Sequence, residues 1–530
     1  MMNNNLETVS ARESRRNKKT TVIITVAAGC LILLLANFHT LWAFCNTAVL
    51  AVVDYSPRLG VLRSPFVGIE NISEVLSAPY FGRIVGNSAM LGLFSMLLTC
   101  ILAFVLILCI SRMKKLFVKV MAIAVIALPF FLPIAVYTDT IMKLFPLGAR
   151  FEPQTARIIV LLIDTFRFIW VPVALGVIVC EHLKNNNTKT VFWLTGCIAL
   201  FKLATLFMFD IEIVLLTYQP TTFETLNIFG TLSYRVGLQA GDASMAGAVD
   251  MVNFMTQLPV LIGGAIGLYF MAKCKKRITQ SVKTAEGANI WCYIGYALIA
   301  TIPLFIVISV FCGFPQIHNS YVLDMLLLSI GNSIVMAGAS AIYCGVLTLV
   351  LTYPLFYSKR IYYAVLILIA SIVIGFIGEY LVLKSMRWMF SGDAVLPIAM
   401  NSGFNITAIL CLYFTVSSRY RDRHIPTKGE YLKDAIVPII IIMTAVFIAT
   451  YGGYIWQMIL IRGTSKITVG IMGGRDLVAD LSGTIDDSKN VLEDYHAYAS
   501  IFPIAFGMAM FAVAGWLKSR VLGKKKELPG

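Results

Sequence analysis

Charge is what this chain has least of. Only 13% of its 530 residues are Asp, Glu, Lys or Arg, about half the share found in soluble domains. Apolar types make up 58%, and the mean hydropathy is +0.81. A soluble chain of this length has nowhere to hide that much apolar surface, so lipid must be the solvent for much of it. Acid is scarcer than base: 28 Asp and Glu face 43 Lys and Arg, a net charge of +15. In a soluble protein that excess would point to nucleic acid. Here it marks cytoplasmic loops, by the positive-inside rule. His39, His182, His318, His424 and His496 lie far apart, and the 11 Cys form no CxxC pair or Cys/His cluster. Neither a metal site nor a disulfide framework is supported. There is no GxxxxGK[ST] loop to cradle phosphates, so any nucleotide belongs to another subunit. No hydrolase signature is present either, and an enzyme is not expected. The ten-residue alternating strands of a membrane barrel are also missing, which leaves helices.

What is present is a series of apolar runs, at about 21–44, 88–111, 117–141, 156–180, 191–217, 249–272, 288–311, 327–357, 361–384, 394–416, 434–460 and 497–517. Each is near the 20 residues that span a bilayer. The reading is an all-α polytopic membrane protein of about twelve helices, with both termini cytoplasmic, in a plasma membrane. The segments this puts inside hold about 28 of the 43 Lys and Arg, as the rule requires. The domain reading is a basic tail (1–20), a six-helix half (21–272), a cytoplasmic linker (273–287), a second half (288–517) and a basic tail (518–530).

The halves share a pattern. Gly86-Asn87-Ser88 opens one apolar run that stops at Ser111-Arg112. Gly331-Asn332-Ser333 opens another that stops at Ser358-Lys359-Arg360. Repeats of this kind are a common transporter plan.

Specific segments then resemble the permease subunits of binding-protein-dependent ABC importers of the maltose type, nearest to those of oligosaccharide and polysaccharide uptake systems. Phe66-Val67-Gly68-Ile69-Glu70-Asn71 resembles "FVGLENF". The stretch Ile213–Leu238 is similar to the family's "LLLYNPxVYETxDIIxTYVYRxGL" outer hairpin, and Gly241–Val249 to "GDYSxATAVG". Tyr353–Lys359 resembles the partner permease's "AYPLSRK", and Ile436-Val437-Pro438 its "IVLP". Such permeases are normally two chains, and the resemblance implies that the two are fused here. The resemblance implies a substrate path for carbohydrate, a separate ABC ATPase that binds the ATP, and an extracellular substrate-binding lipoprotein. It also implies two cytoplasmic coupling loops with a Glu-Ala-Ala-x3-Gly motif. The loops here depart from it: in the first only Glu181 and Phe192-Trp193 fit and the glycine is missing, and Gly429 with Glu430 lies in the second, beside Arg421 and Arg423. Asn185–Asn187 and Pro426 disfavour a helix in them. An ion-coupled twelve-helix secondary transporter and a non-transporting permease-derived scaffold or sensor therefore stay open.

Charges inside spans are the remaining candidates, because each is costly in lipid. Asp164 and Arg167 are three apart and can pair on one helix face. Lys202 is expected to snorkel towards the inner end of its span, and Glu379 has no cation three or four residues away on its own helix. Trp170, Tyr451, Tyr454 and Trp456 are the aromatic candidates for stacking on a sugar, or for packing. Gly452-Gly453 predicts an irregular helix beside them.

Overall fold

A computed structural model describes residues 24, 27–36, 38–150, 152–279, 287, 289–312, 320–356, 395–403, 405–417, 420, 426–461, 464–481 and 489–523. The expected span 361–384, with Glu379, and the loop residues Arg421 and Arg423 lie outside them. Among the described residues the fold is helical throughout, with one isolated bridge between Val53 and Phe66. Seven helices among the described residues are long and apolar enough to cross a membrane: Phe81–Arg112, Pro153–Leu183, Ala243–Met271, Ile290–Phe311, Leu323–Phe356, Lys428–Tyr451 and Ala497–Lys518; Ala27–Ala36 and Phe38–Leu50, bent by 57°, make an eighth if they are one span. Their outward faces carry exposed apolar side chains such as Phe94, Ile101, Trp291 and Phe305, as lipid-facing helices must. The class is an all-α membrane protein.

Several of the expected runs are broken rather than continuous. The run 117–141 forms Leu116–Ile126, Leu128–Phe131 and Ile134–Lys143. Pro129 and Pro133 explain this, since each lacks an amide donor and crowds the preceding turn. The run 191–217 forms Thr188–Ala204 and Ile211–Leu216. The run 434–460 forms Lys428–Tyr451 and Ile455–Leu460, parted at Gly452-Gly453. The helix Ala243–Thr279 continues seven residues into the segment read as a linker, since 279 is seven past 272.

Irregular backbone inside a membrane must be satisfied by protein, and here the breaks satisfy one another. Ile134 N donates to Gly452 O at 3.2 Å. The approach is close: a Cβ at Gly452 would stand 2.6 Å from Pro133 Cα. Gln257 closes the break after Ala204, accepting from Phe207 N at 2.8 Å and donating to Ala204 O. One buried cluster runs through this seam, joining Leu132, Ile134 and Tyr137 to Tyr454, Ile455 and Ile459.

Candidate functional site

The duplicated asparagines are the clearest built feature. Asn87 donates through Nδ2 to Glu224 O at 2.8 Å and Asn227 O at 3.1 Å. Asn332 donates to Ser465 O at 3.1 Å and Ile467 O at 2.9 Å. The next residue repeats the match. Ser88 Oγ accepts from Phe229 N at 3.4 Å, and Ser333 Oγ accepts from Val469 N at 2.9 Å. Phe229 and Val469 each begin a helix, so each serine satisfies an amide that a helix start leaves free. In both places an Asn-Ser pair on a long span holds the loop that returns from the far side.

At the seam, Arg167 is buried and donates through Nη1 to Leu132 O at 3.0 Å and Pro129 O at 3.4 Å. Its guanidinium stands 5.6 Å from the centre of the Phe130 ring and 5.8 Å from that of Tyr137. It makes no ion pair with Asp164, contrary to the i, i+3 expectation. The proline breaks freed carbonyls that compete for the guanidinium. Asp164 instead accepts from Ser95 Oγ, and Lys202 Nζ lies 4.0 Å from it. Lys202 therefore turns to a buried carboxylate rather than snorkelling. Glu212 was not among the expected site residues. Its Oε1 accepts from Tyr454 N and, at 3.2 Å, from Ile455 N. It thus caps the helix Ile455–Leu460 from 242 residues upstream, a distance no local pattern encodes.

The aromatic candidates divide. Tyr451 is fully buried, stacks on Phe447, packs at a tilt against Phe502, and donates to Ala499 O at 3.4 Å. Tyr454 is buried against Gly474 at the seam. Trp456 falls within the helix Ile455–Leu460. Trp170 differs. It lines a cavity of about 400 Å³ between residues 116–181 and residues 405–449. Its ring packs 5.1 Å from Phe130 and 6.3 Å from Phe511. Its indole N–H is buried without an acceptor. Asn405, Thr407 and Thr415 line one wall, and Lys119, Glu181 and Lys518 sit at one end.

Glu181 pairs with Lys119, which also donates to Ser111 O at 2.9 Å. The loop after Glu181 is a tight turn. Lys184 adopts a left-handed conformation, and Asn185, Asn186 and Asn187 are buried. Asn187 caps the helix Thr188–Ala204 by accepting from Thr190 N at 2.8 Å. The asparagine run thus ends one helix and starts the next, as its side-chain chemistry favours. In the second loop, Gly429 and Glu430 begin Lys428–Tyr451, where Thr427 and Glu430 form a capping box.

On the hairpin read as outer, Arg235 stacks 4.1 Å from the Phe223 ring and donates to Asn227 Oδ1 at 3.1 Å. Burial pushes the nearby Tyr218 hydroxyl up to about 12, and Arg235 offsets part of this. A groove of about 730 Å³ opens here, lined by Tyr80, Arg83, Phe223 and Arg235 among others.

No protein-family model matches the chain, and no curated protein matches it. Among solved structures, one chain of a bacterial alginate ABC transporter in complex with an alginate pentasaccharide-bound periplasmic protein is similar. It shares 17% identity over 40% of this chain and 84% of its own, at a TM-score of 0.31, too low to carry fold or function across.

Proposed function

We propose that this chain is the transmembrane permease of an ABC-type importer, two permease halves in one polypeptide, with a carbohydrate as cargo. The observation that carries this is the paired Asn-Ser anchoring of Asn87-Ser88 and Asn332-Ser333. Equivalent spans holding equivalent return loops are what two halves around one path require. The broken helices that meet at Pro133 and Gly452 support a path there, since discontinuous helices accompany substrate sites in membrane transporters. The cavity below supports the cargo class. Trp170 and Phe130 offer faces for the C–H patches of a sugar, and the unpaired indole N–H can donate to a hydroxyl. A separate ATPase binds the ATP, and the Arg83–Arg235 groove is where we put an extracellular substrate-binding lipoprotein.

The test is uptake of labelled oligosaccharide in cells expressing the chain with its native ATPase and binding protein. Uptake should need ATP, survive collapse of the proton gradient, and fall about tenfold or more in Trp170→Ala, as loss of a stacking and hydrogen-bonding group implies. Uptake that stops with the gradient moves the reading to an ion-coupled secondary transporter. One observation favours a second reading. Asn185, Asn186 and Asn187 in the turn after Lys184 are buried, and no helix lies between Leu183 and Thr188 to project from the first coupling loop. A permease-derived scaffold or sensor fits that turn, and would insert normally yet transport nothing under any condition.

A further inference from the structure

The helix Ala243–Thr279 carries a polar stripe on one face. Asp250, Asn253 and Gln257 are three and four residues apart, the spacing of neighbours on a helix surface. Gln257 is fully satisfied by the break at Ala204 and Phe207, so the stripe faces protein and not lipid. The other two are not satisfied. Asp250 is only 3% exposed, and its Oδ2 accepts from no donor. Ser233, on the neighbouring helix Phe229–Tyr234, faces the carboxylate, and its Oγ meets no partner at full hydrogen-bond geometry. Ser233 is itself 2% exposed and unpartnered. Asn253 Oδ1 is a third buried oxygen without a donor. No Lys, Arg or His among the described residues pairs with Asp250.

A lone carboxylate in a span, with two more unsatisfied buried oxygens on its own and the neighbouring helix, is expensive. We infer that Asp250 Oδ2, Ser233 Oγ and Asn253 Oδ1 form a site for a monovalent cation, Na+. The ligand set is all oxygen, which suits a hard cation. One carboxylate balances one positive charge, whereas a divalent ion would leave a buried net charge and asks for more carboxylates. Asp250 lies about 10 Å along the helix from Ala243, at 1.5 Å per residue, within reach of the end where the hairpin sits. The site is built from the hairpin and the first half alone, so it does not depend on the transport reading.

The experiment uses the purified full chain in lipid nanodiscs, its thermal unfolding followed in NaCl, KCl and choline chloride at one ionic strength. A saturable rise in Tm with Na+, absent with choline, is expected of the wild type. Asp250→Asn should abolish that rise, and Ser233→Ala should shift its midpoint to Na+ concentrations about tenfold higher or more. If Asp250→Asn fails to fold, Ser233→Ala and Asn253→Ala carry the test alone. No Na+-dependent rise in the wild type overturns the site. A rise of unchanged midpoint in all three variants overturns it too, and so does a response to pH but not to Na+.

Discussion

Arg167 and Glu212 do opposite jobs at one seam. The arginine supplies donors to carbonyls that the prolines orphaned, and the glutamate supplies an acceptor to amides that the diglycine orphaned. Arg167→Ala should therefore destabilise the chain, by about 1–3 kcal/mol for each carbonyl left without a donor. Arg167→Lys should recover little, because an ammonium lacks the planar fork. Glu212 gives a sharper contrast. Glu212→Gln keeps the accepting oxygen and should unfold near the wild-type temperature, while Glu212→Ala should not. Thermal unfolding of the purified chain reads both, and equal losses in Gln and Ala would mean the charge matters rather than the cap. The sequence marked Arg167 and Asp164 as buried charges because charge is rare in spans. It could not pair them correctly, since helical spacing only permits a contact and the freed carbonyls of Pro129 and Leu132 decided it. Asp250 was illegible for another reason. It lies near the start of an apolar run, where an acid reads as a solvated flank, and only the packing of Ser233 against it reveals its burial.

Helices here are legible as apolar runs, but their continuity is not. Hydropathy does not distinguish one long span from two short helices in line; within 434–460 only the Gly452-Gly453 pair marks the irregularity, not the break it becomes. Glycine at 452 is the one residue that allows the seam to close. A Cβ there would meet Pro133 backbone at 2.6 Å, and backbone does not yield as a flexible side chain does. Gly452→Ala should thus force the two broken helices apart, lowering Tm and, on the importer reading, uptake as well. Gly429→Ala serves as the control, because nothing stands within 4 Å of a Cβ at that helix start. The alanine there should be neutral or slightly stabilising, by less than about 1 kcal/mol. Similar losses from both would show that the Gly452–Pro133 approach is not what limits stability.

Among the described residues, contacts cross between the two stretches read as halves in both directions. Leu33 and Ala36 pack with Leu347, Leu351 and Leu355. Reciprocally, Ile290–Phe311 lies against Phe81–Arg112 and Leu128–Phe131, and Tyr296 donates its hydroxyl to Ala122 O at 3.1 Å. The repeated Asn-Ser openings are where the sequence suggests a duplication, but nothing in a hydropathy pattern shows which neighbour a span chooses. A half produced alone would expose the apolar wall its partner's first span covers, and would lose the Glu212 cap and the Ile134–Gly452 hydrogen bond together. Residues 1–279 expressed alone should therefore aggregate or be degraded. Residues 1–284 and 285–530 produced as two chains in one cell should co-purify through a tag on either, because the seam and the exchanged spans hold them without a covalent link. A first half that is stable and monodisperse by itself would show that the exchanged contacts add nothing. Two fragments that never co-purify would show that the link between them is required for assembly, which the reading as two fused permeases does not allow.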